Sequence, residues 1–411
     1  MTAAWQTVRI SDFGKVVTGK TPSSDRPEEF GDSYPFITPS DIDNTSKLAK
    51  TERYLSEAGA NTLRNALLPP KAVCVVCIGA TIGKVVMTDQ PSFTNQQINS
   101  VIVDSRRFDP DYIYYLCKGI SETFQTFAGG AATPIINKTV FSAIKVKIPD
   151  LAAQSKVAAV LSSIDDLIAN NQRRIALLES MAEEIYREWF VRMRFPGCER
   201  VKTEKGIPAG WSPSNLGSIA SFVMGQSPSS EYYNEIGDGL PFHQGVGTYG
   251  DRYPTHEVFC SSEGRRAKSG DILFSVRAPV GRLNIADTDL IIGRGLAAMR
   301  HKQDFNSFLF YLLKVTFANE DMIGNGSIFN SVGKDELKRH PILNPPTPLI
   351  QRFQNIVVPI DSQLATLYAS TTQLIAMRDT LLPRLISGKL RVDQLDIQYP
   401  PSMNAESMQV T

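Results

Sequence analysis

Residues 5–36 read WQTVRISDFGKVVTGKTPSSDRPEEFGDSYPF, and residues 211–242 read WSPSNLGSIASFVMGQSPSSEYYNEIGDGLPF. Laid together without a gap, 11 of the 32 positions are identical, among them Trp5/Trp211, Gly19/Gly225, Pro22/Pro228, Gly31/Gly237 and Phe36/Phe242. Average composition would give about two. The offset of 206 residues is far longer than a solenoid unit, so a whole domain is duplicated. Small gaps extend the match. Lys71–Val85 aligns with Ser269–Leu283, Asp111–Lys118 with Ser307–Lys314, and Pro149–Gln154 with Pro346–Gln351.

The duplication divides the chain. Residues 1–150 and 205–345 are expected to be similar mixed α/β globules. Residues 151–195 and 346–392 are expected to be long helices, and 393–411 a frayed tail rich in polar residues and Pro. Within the globules, Val73–Ile78 and Asp271–Val276 read as buried strands. Gly79–Gly83 and Arg277–Gly281 read as the turns that follow them. Asp111–Lys118 and Asn306–Val315 read as aromatic-rich helices, and Gly129-Gly130 and Gly324-Asn-Gly326 as loops.

After each globule the period changes to 3-4. The first seam runs Gln154, Val157, Leu161, Ile164, Ile168, Asn171, Ile175, Leu178, Ala182, Ile185, Trp189. The second runs Phe353, Val357, Ile360, Leu364, Leu367, Thr371, Leu374, Arg378, Leu381, Leu385 and ends at Ser387-Gly388-Lys389, a C-cap signal. Each helix could pack on its own globule alone; pairing the two buries both seams at once. Gln154–Trp189 spans 36 residues, about 54 Å. Pairing must be antiparallel to accommodate the intervening globule, which gives an α+β fold: two globules separated by an antiparallel two-helix coiled coil, related by a pseudo-two-fold axis. A pairing centred on the seam midpoints brings Asn171 to Thr371. Pro359 should kink the second helix or delay its start, and Arg378 interrupts its seam.

The composition is that of a folded chain: 411 residues, 42% hydrophobic and 21% charged. No apolar run reaches the roughly 18 residues of a membrane span. The first residues carry no basic and apolar leader pattern, and five cysteines is a low, odd count; both favour a reducing, cytoplasmic setting. Charge is balanced throughout: Lys+Arg against Asp+Glu is 16 to 15 in residues 1–150, 8 to 8 in 151–204, 14 to 14 in 205–345 and 5 to 5 in 346–411. Bulk charge would not hold this chain on nucleic acid. Two modules on a spacer nevertheless suit double-stranded DNA, where a dimeric reader matches its half-site spacing. Unequal halves in one chain imply a bipartite target with different half-sites.

Several stretches in order carry a family resemblance. Gly206-Ile-Pro-Ala-Gly-Trp211, Leu216-Gly-Ser-Ile-Ala and Gly225-Gln-Ser-Pro228 look like the opening of a target-recognition domain. Gln154–Ile168 and Glu188-Trp-Phe190 look like the start and end of a central conserved helix, and Leu381–Leu390 like the end of a C-terminal one. Over about residues 5–392 the chain resembles the specificity subunit of Type I restriction-modification systems. The resemblance implies two target-recognition domains reading a split, non-palindromic target. It also implies docking of two adenine-methyltransferase subunits and of restriction subunits. By the same resemblance the chain is non-catalytic, and S-adenosylmethionine, ATP and Mg belong to the partner subunits.

Two rival readings are a fused methyltransferase and a protein-only coiled-coil scaffold. Asn344-Pro-Pro346 imitates an amino-methyltransferase site, but Thr347 stands where that chemistry needs a ring to stack on a flipped base. No Gly-rich cofactor turn is evident, and the segment aligns with a domain-to-helix joint. Cys74-x-x-Cys77 lacks the further ligands of a zinc site and reads as core strand. Thr18-Gly-Lys-Thr21 is a poor phosphate loop, and His243, His256, His301 and His340 are scattered with no Ser/His/Asp grouping evident.

Base reading needs polar side chains on loops at one face, with Arg or Lys for guanine and Asn or Gln for adenine. In the first globule the candidates are Lys20, Thr21, Ser23, Ser24, Lys84, Asn95, Gln96, Gln97 and Lys138. In the second they are Gln226, Ser227, Ser229, Ser230, Gln244, Arg277, Arg282 and Arg294. Asn95-Gln96-Gln97 aligns with Gly293-Arg294-Gly295, a change of character that suits a change of specificity. The repeated Pro-Ser-Ser has an alternative role as a structural turn.

Overall fold

A computed structural model describes residues 5–43, 45–128, 134–317, 331–392 and 394–403. The chain divides into two compact units, Met1–Arg174 with Leu367–Thr411, and Ile175–Thr366. Each unit therefore holds one globule and a stretch of both long helices.

In the first unit, an antiparallel sheet has the order Gly14–Thr18, Ile98–Val103, Val73–Val76, Val85–Met87. A second sheet has the order Phe30–Gly31, Tyr54–Leu55, Tyr34–Ile37, Phe93–Thr94, the last pair parallel. Val73–Val76 is buried at every residue because both of its faces are covered. Val73 and Val75 enter the core shared with the long helices, while Cys74 and Val76 enter a second core under the short sheet. A continuous apolar run is what a strand covered on both faces requires. The second unit repeats the first sheet as Ala220–Met224, Leu296–His301, Ile272–Ser275, Leu283–Ile285. The aromatic helices are Pro110–Gly119 and Asn306–Thr316. The loops expected at Gly129-Gly130 and Gly324–Gly326 lie outside the described residues.

The first long helix is Leu151–Tyr186, followed by a π-helical turn, Arg187–Val191. Asp150 caps it by accepting from the Ala153 N–H at 2.9 Å. The second is Thr347–Ile386. The seam residues are buried, with Leu178, Ile185, Leu374 and Leu381 partly so. The helices pair antiparallel within each unit. In the first, Asp165 meets Arg378 and Asn171 meets Ser370; in the second, the rings of Tyr186 and Trp189 meet Phe353. They also pack on the globules. Val157, Leu161, Leu382 and Leu385 share one core with Tyr112, Ile113 and Tyr115, so packing on the partner helix and on the globule occur together.

Three expectations are corrected. Of the two outcomes expected of Pro359, the delayed start does not occur: the second helix begins at Thr347 and continues through the proline to Ile386. The proline and Asn355, whose carbonyl loses its helical donor, are both exposed, so water can take that bond. At the centre, Asn171 Nδ2 donates to Ser370 Oγ at 3.2 Å, and the Thr371 hydroxyl donates to its own helix at the Leu367 carbonyl at 2.8 Å. The polar pair thus forms one residue away from Thr371, which bonds back by one turn as threonine commonly does. The tail is not frayed over residues 394–403. Ile397 and Met403 pack against the first core, and Lys156 Nζ donates to the Leu395 carbonyl at 2.8 Å. Gly388, at φ +72°, ends the second helix, and a Cβ there would sit 2.5 Å from the Trp5 ring.

Candidate nucleic-acid interface

In each globule four strands end at a common rim. In the first, Gly19 N–H bonds the Ile98 carbonyl and Lys20 N–H the Thr94 carbonyl. Asn95 N–H bonds the Ile37 carbonyl, and Cys77 N–H the Gln97 carbonyl. The second globule repeats this. Gln226 N–H bonds Ile292, Gly293 N–H bonds His243, Gly295 N–H bonds Gln244 and Val276 N–H bonds Gly295. The crossing is tight enough to demand glycine. A Cβ at Gly19 would lie 2.2 Å from the Asn95 carbonyl oxygen, and one at Gly225 would lie 2.1 Å from that of Gly293. Their identity in the repeat was the available signal for this crossing.

The rim separates displayed side chains from structural ones. Thr21 and Gln96 are exposed, and the Thr21 hydroxyl donates to Gln96 Oε1 at 2.5 Å. Asn95 is buried; it donates to Gln97 Oε1 at 2.9 Å and accepts the Gln97 N–H at 3.1 Å. Lys84 turns inward and donates to the Ile42 carbonyl at 2.8 Å. Lys20 is exposed on the rim. Ser23 and Ser24 are exposed on the following loop, where Ser23 Oγ accepts the Asp25 N–H at 3.4 Å. Lys138, also exposed, opens the short helix Lys138–Ala143, two residues past Ile136, whose N–H reaches the Cys77 carbonyl.

On the second rim, the Ser227 hydroxyl donates to Gln244 Oε1 at 2.7 Å and accepts the Arg294 N–H at 3.4 Å. Gln226, Gln244 and Arg294 are exposed there. Arg277 is exposed and directly follows Val276. Arg282 lies across the next turn, its N–H on Ser275 Oγ at 2.8 Å. Ser229 and Ser230 are exposed around the short 3-10 turn Ser230–Tyr232.

Behind Gln244 lies a chain the sequence did not reveal, although only Asp287 is distant from the other members in it. Buried His243 bonds Thr248 Oγ1 at 2.7 Å and His256 at 3.0 Å, and His256 meets Asp287 at 3.1 Å. Burial, and then the neighbouring His256, push the His243 imidazole down to about 4. Protons bound only by the unfolded chain therefore penalise folding as pH falls below about 6.5 toward 4. Lowering pH from 7 to 5 should cost about 2 kcal/mol through this group. Urea unfolding at both pH values should show that loss shrink by this amount in His243→Gln; an unchanged loss would clear His243. His301 is pushed down to about 4 by burial as well. All four histidines lie in the second unit.

The decoy motifs have ordinary places. Asn344 pairs with Ser212 in a two-stranded sheet just before the second long helix. Cys74 and Cys77 are buried, and burial pushes their thiols up to about 12 and about 11. Among the described residues no cluster of three or more His, Cys, Asp or Glu could hold a metal ion. No helix among them is long and apolar enough to cross a membrane.

Like-built globules, each with polar side chains on a clamped strand-end rim and each seated on paired helices, define a duplicated recognition protein. The chain belongs to the Type I restriction modification DNA specificity domain family, whose model matches residues 3–180 and 208–374. It is 30% identical over 322 residues, 76% of each chain, to the putative type I restriction enzyme MjaX specificity subunit of Methanocaldococcus jannaschii. The MjaIX specificity subunit of the same organism is 27% identical, covering 95% of this chain and 94% of its own. In fold this chain is similar to the crystal structure of the Type I restriction-modification S subunit from M. genitalium, at a TM-score of 0.61 and 16% identity over 93% and 96% of the two chains.

Proposed function

We propose that this chain is the non-catalytic DNA-specificity subunit of a Type I restriction-modification complex in the cytoplasm. Each globule reads one half of a bipartite, non-palindromic target. Two adenine-methyltransferase subunits and the restriction subunits dock on the chain and supply S-adenosylmethionine, ATP and Mg chemistry. The observation that carries this reading is the pair of rims: the same backbone crossing at Gly19 and Gly225 displays Gln96 in one globule and Arg294 in the other. A shared frame with different side chains is what two different half-sites require. Neutral segments leave phosphate contacts to the partners.

Exchanging residues 1–150 for the first globule of another family member should change one half-site and spare the other. Methylation mapping of cells carrying the hybrid reads this directly. Alteration of both halves would defeat the modular reading.

A further inference from the structure

We propose that one residue at the tip of each rim turn is a base reader: Gln96 for an adenine in one half-site, and Arg294 for a guanine in the other. This rests on the bipartite reading above and deepens it.

The backbone beneath both side chains is fixed. Gly19 and Gly225 press on the carbonyls of Asn95 and Gly293, as described. On the second rim, a Cβ at Gly293 would lie 2.9 Å from Gln244 Cα, and one at Gly295 would lie 2.6 Å from the Gln244 carbonyl oxygen. Arg294 is thus the one residue of Gly-Arg-Gly with a side chain, and its flanking glycines are wedged against Gln244. Ser227 holds the turn through the Arg294 N–H and holds Gln244 through its hydroxyl. Thr21 occupies the place of Ser227 in the repeat, and its hydroxyl fixes Gln96 Oε1. Thr21 and Ser227 are therefore positioning residues.

The chemistry left over selects the bases. Among the described residues the Arg294 guanidinium makes no hydrogen bond or ion pair. Its rigid fork of donors matches guanine O6 and N7. Among the described residues Gln96 keeps both Nε2 hydrogens and one Oε1 lone pair, the donor and acceptor that adenine N7 and N6 call for. Asn95 is buried with both ends of its amide bonded to Gln97, and Gln97 is half-buried with its Oε1 held by Asn95, so Gln96 is the exposed member of the three. A phosphate contact positions the protein without reading sequence and does not need a clamped turn.

The test uses the full chain assembled with its methyltransferase subunits. Duplex libraries randomised over each half-site are methylated, and the preferred bases are read by sequencing. Arg294→Gln should lose the guanine preference at one position of one half-site by about ten- to a hundred-fold, with the other half-site unchanged. Gln96→Arg should move an adenine preference toward guanine in the other half-site. Arg294→Lys, which keeps the charge and loses the fork, should also lose discrimination there. Both residues are exposed, so unfolding midpoints should not move. Arg294 variants that methylate all sequences equally less, with the same preferred bases, would mark a phosphate contact and overturn the proposal. Unchanged preferences in both Arg294→Gln and Gln96→Arg would overturn it too. A wild-type complex with no split preference would instead defeat the bipartite reading itself.

Discussion

Asp165→Ala should destabilise the first unit by about 3–5 kcal/mol, the usual cost of stranding a buried charge. Asp165, on the first long helix, faces both the globule and the second long helix. It accepts the Tyr115 hydroxyl at 2.6 Å and Arg378 Nη1 at 2.9 Å, and the side chains of Arg378 and Asp165 are 1% and 5% exposed. Burial opposes the Arg378 charge, but Asp165 and Asp379 more than offset this and raise its pKa. Asp165 is its buried carboxylate partner; Asp379, which the guanidinium also meets, is half-exposed, and the Thr45 carbonyl it bonds carries no charge. Asp379→Ala, which removes an exposed partner, should cost under about 1 kcal/mol. The double change Asp165→Leu with Arg378→Met removes both charges and should recover most of the loss. Midpoints of urea unfolding, with the slope unchanged, measure all three. Equal, small losses for Asp165→Ala and Asp379→Ala would show that the node is not structural.

The second unit builds a counterpart. Asp361 accepts the Tyr311 hydroxyl at 3.0 Å and Arg252 Nη2 at 2.6 Å. Tyr115 precedes Asp165 by 50 residues and Tyr311 precedes Asp361 by 50, so the repeat contained the tyrosine–aspartate pair. The arginine was not legible in that way. It comes from the second long helix in one unit and from the globule in the other, and only tertiary structure brings it to the acid. For this reason Arg378 read as a flaw in the seam, although it is the buried partner of Asp165.

Periodicity made the large features legible. A 3-4 seam and a two-sided apolar strand are local patterns that burial dictates, and the structure buries those residues. Register was less so: seam spacing centres the helices, but whether Asn171 meets Ser370 or Thr371 turns on side-chain rotation. The site was legible as a set of loops and not as a set of roles. Asn95, Gln96 and Gln97 are equally polar in sequence. The fold turns the first inward and displays the second, through a crossing set by Gly19, 76 positions away from Asn95. Nor does the sequence place the Lys84 ammonium on the Ile42 carbonyl, 42 positions away.

Phe353→Ala should cost the second unit about 3–5 kcal/mol, the range for deleting a buried aromatic ring. Phe353 is 0% exposed. Its ring lies 5.1 Å from Phe190, 5.9 Å from Tyr186 and 6.2 Å from Trp189 on the first long helix and its π-helical end. It also lies 6.4 Å from Phe308 and 6.3 Å from Tyr311 on the aromatic helix of the globule. One side chain thus joins both long helices to the second globule. Five rings around it cannot all collapse into the space it leaves, so the cavity cost adds to the lost burial. Phe353→Leu keeps part of that volume and should cost clearly less. Ile356→Ala, three residues on and exposed, should stay within about 0.5 kcal/mol. Because Trp189 borders the cavity, its emission should shift to the red in Phe353→Ala while the chain is still folded. A loss no larger than that of Ile356→Ala, with unchanged emission, would mean that the aromatic cluster does not hold the second globule to its helices.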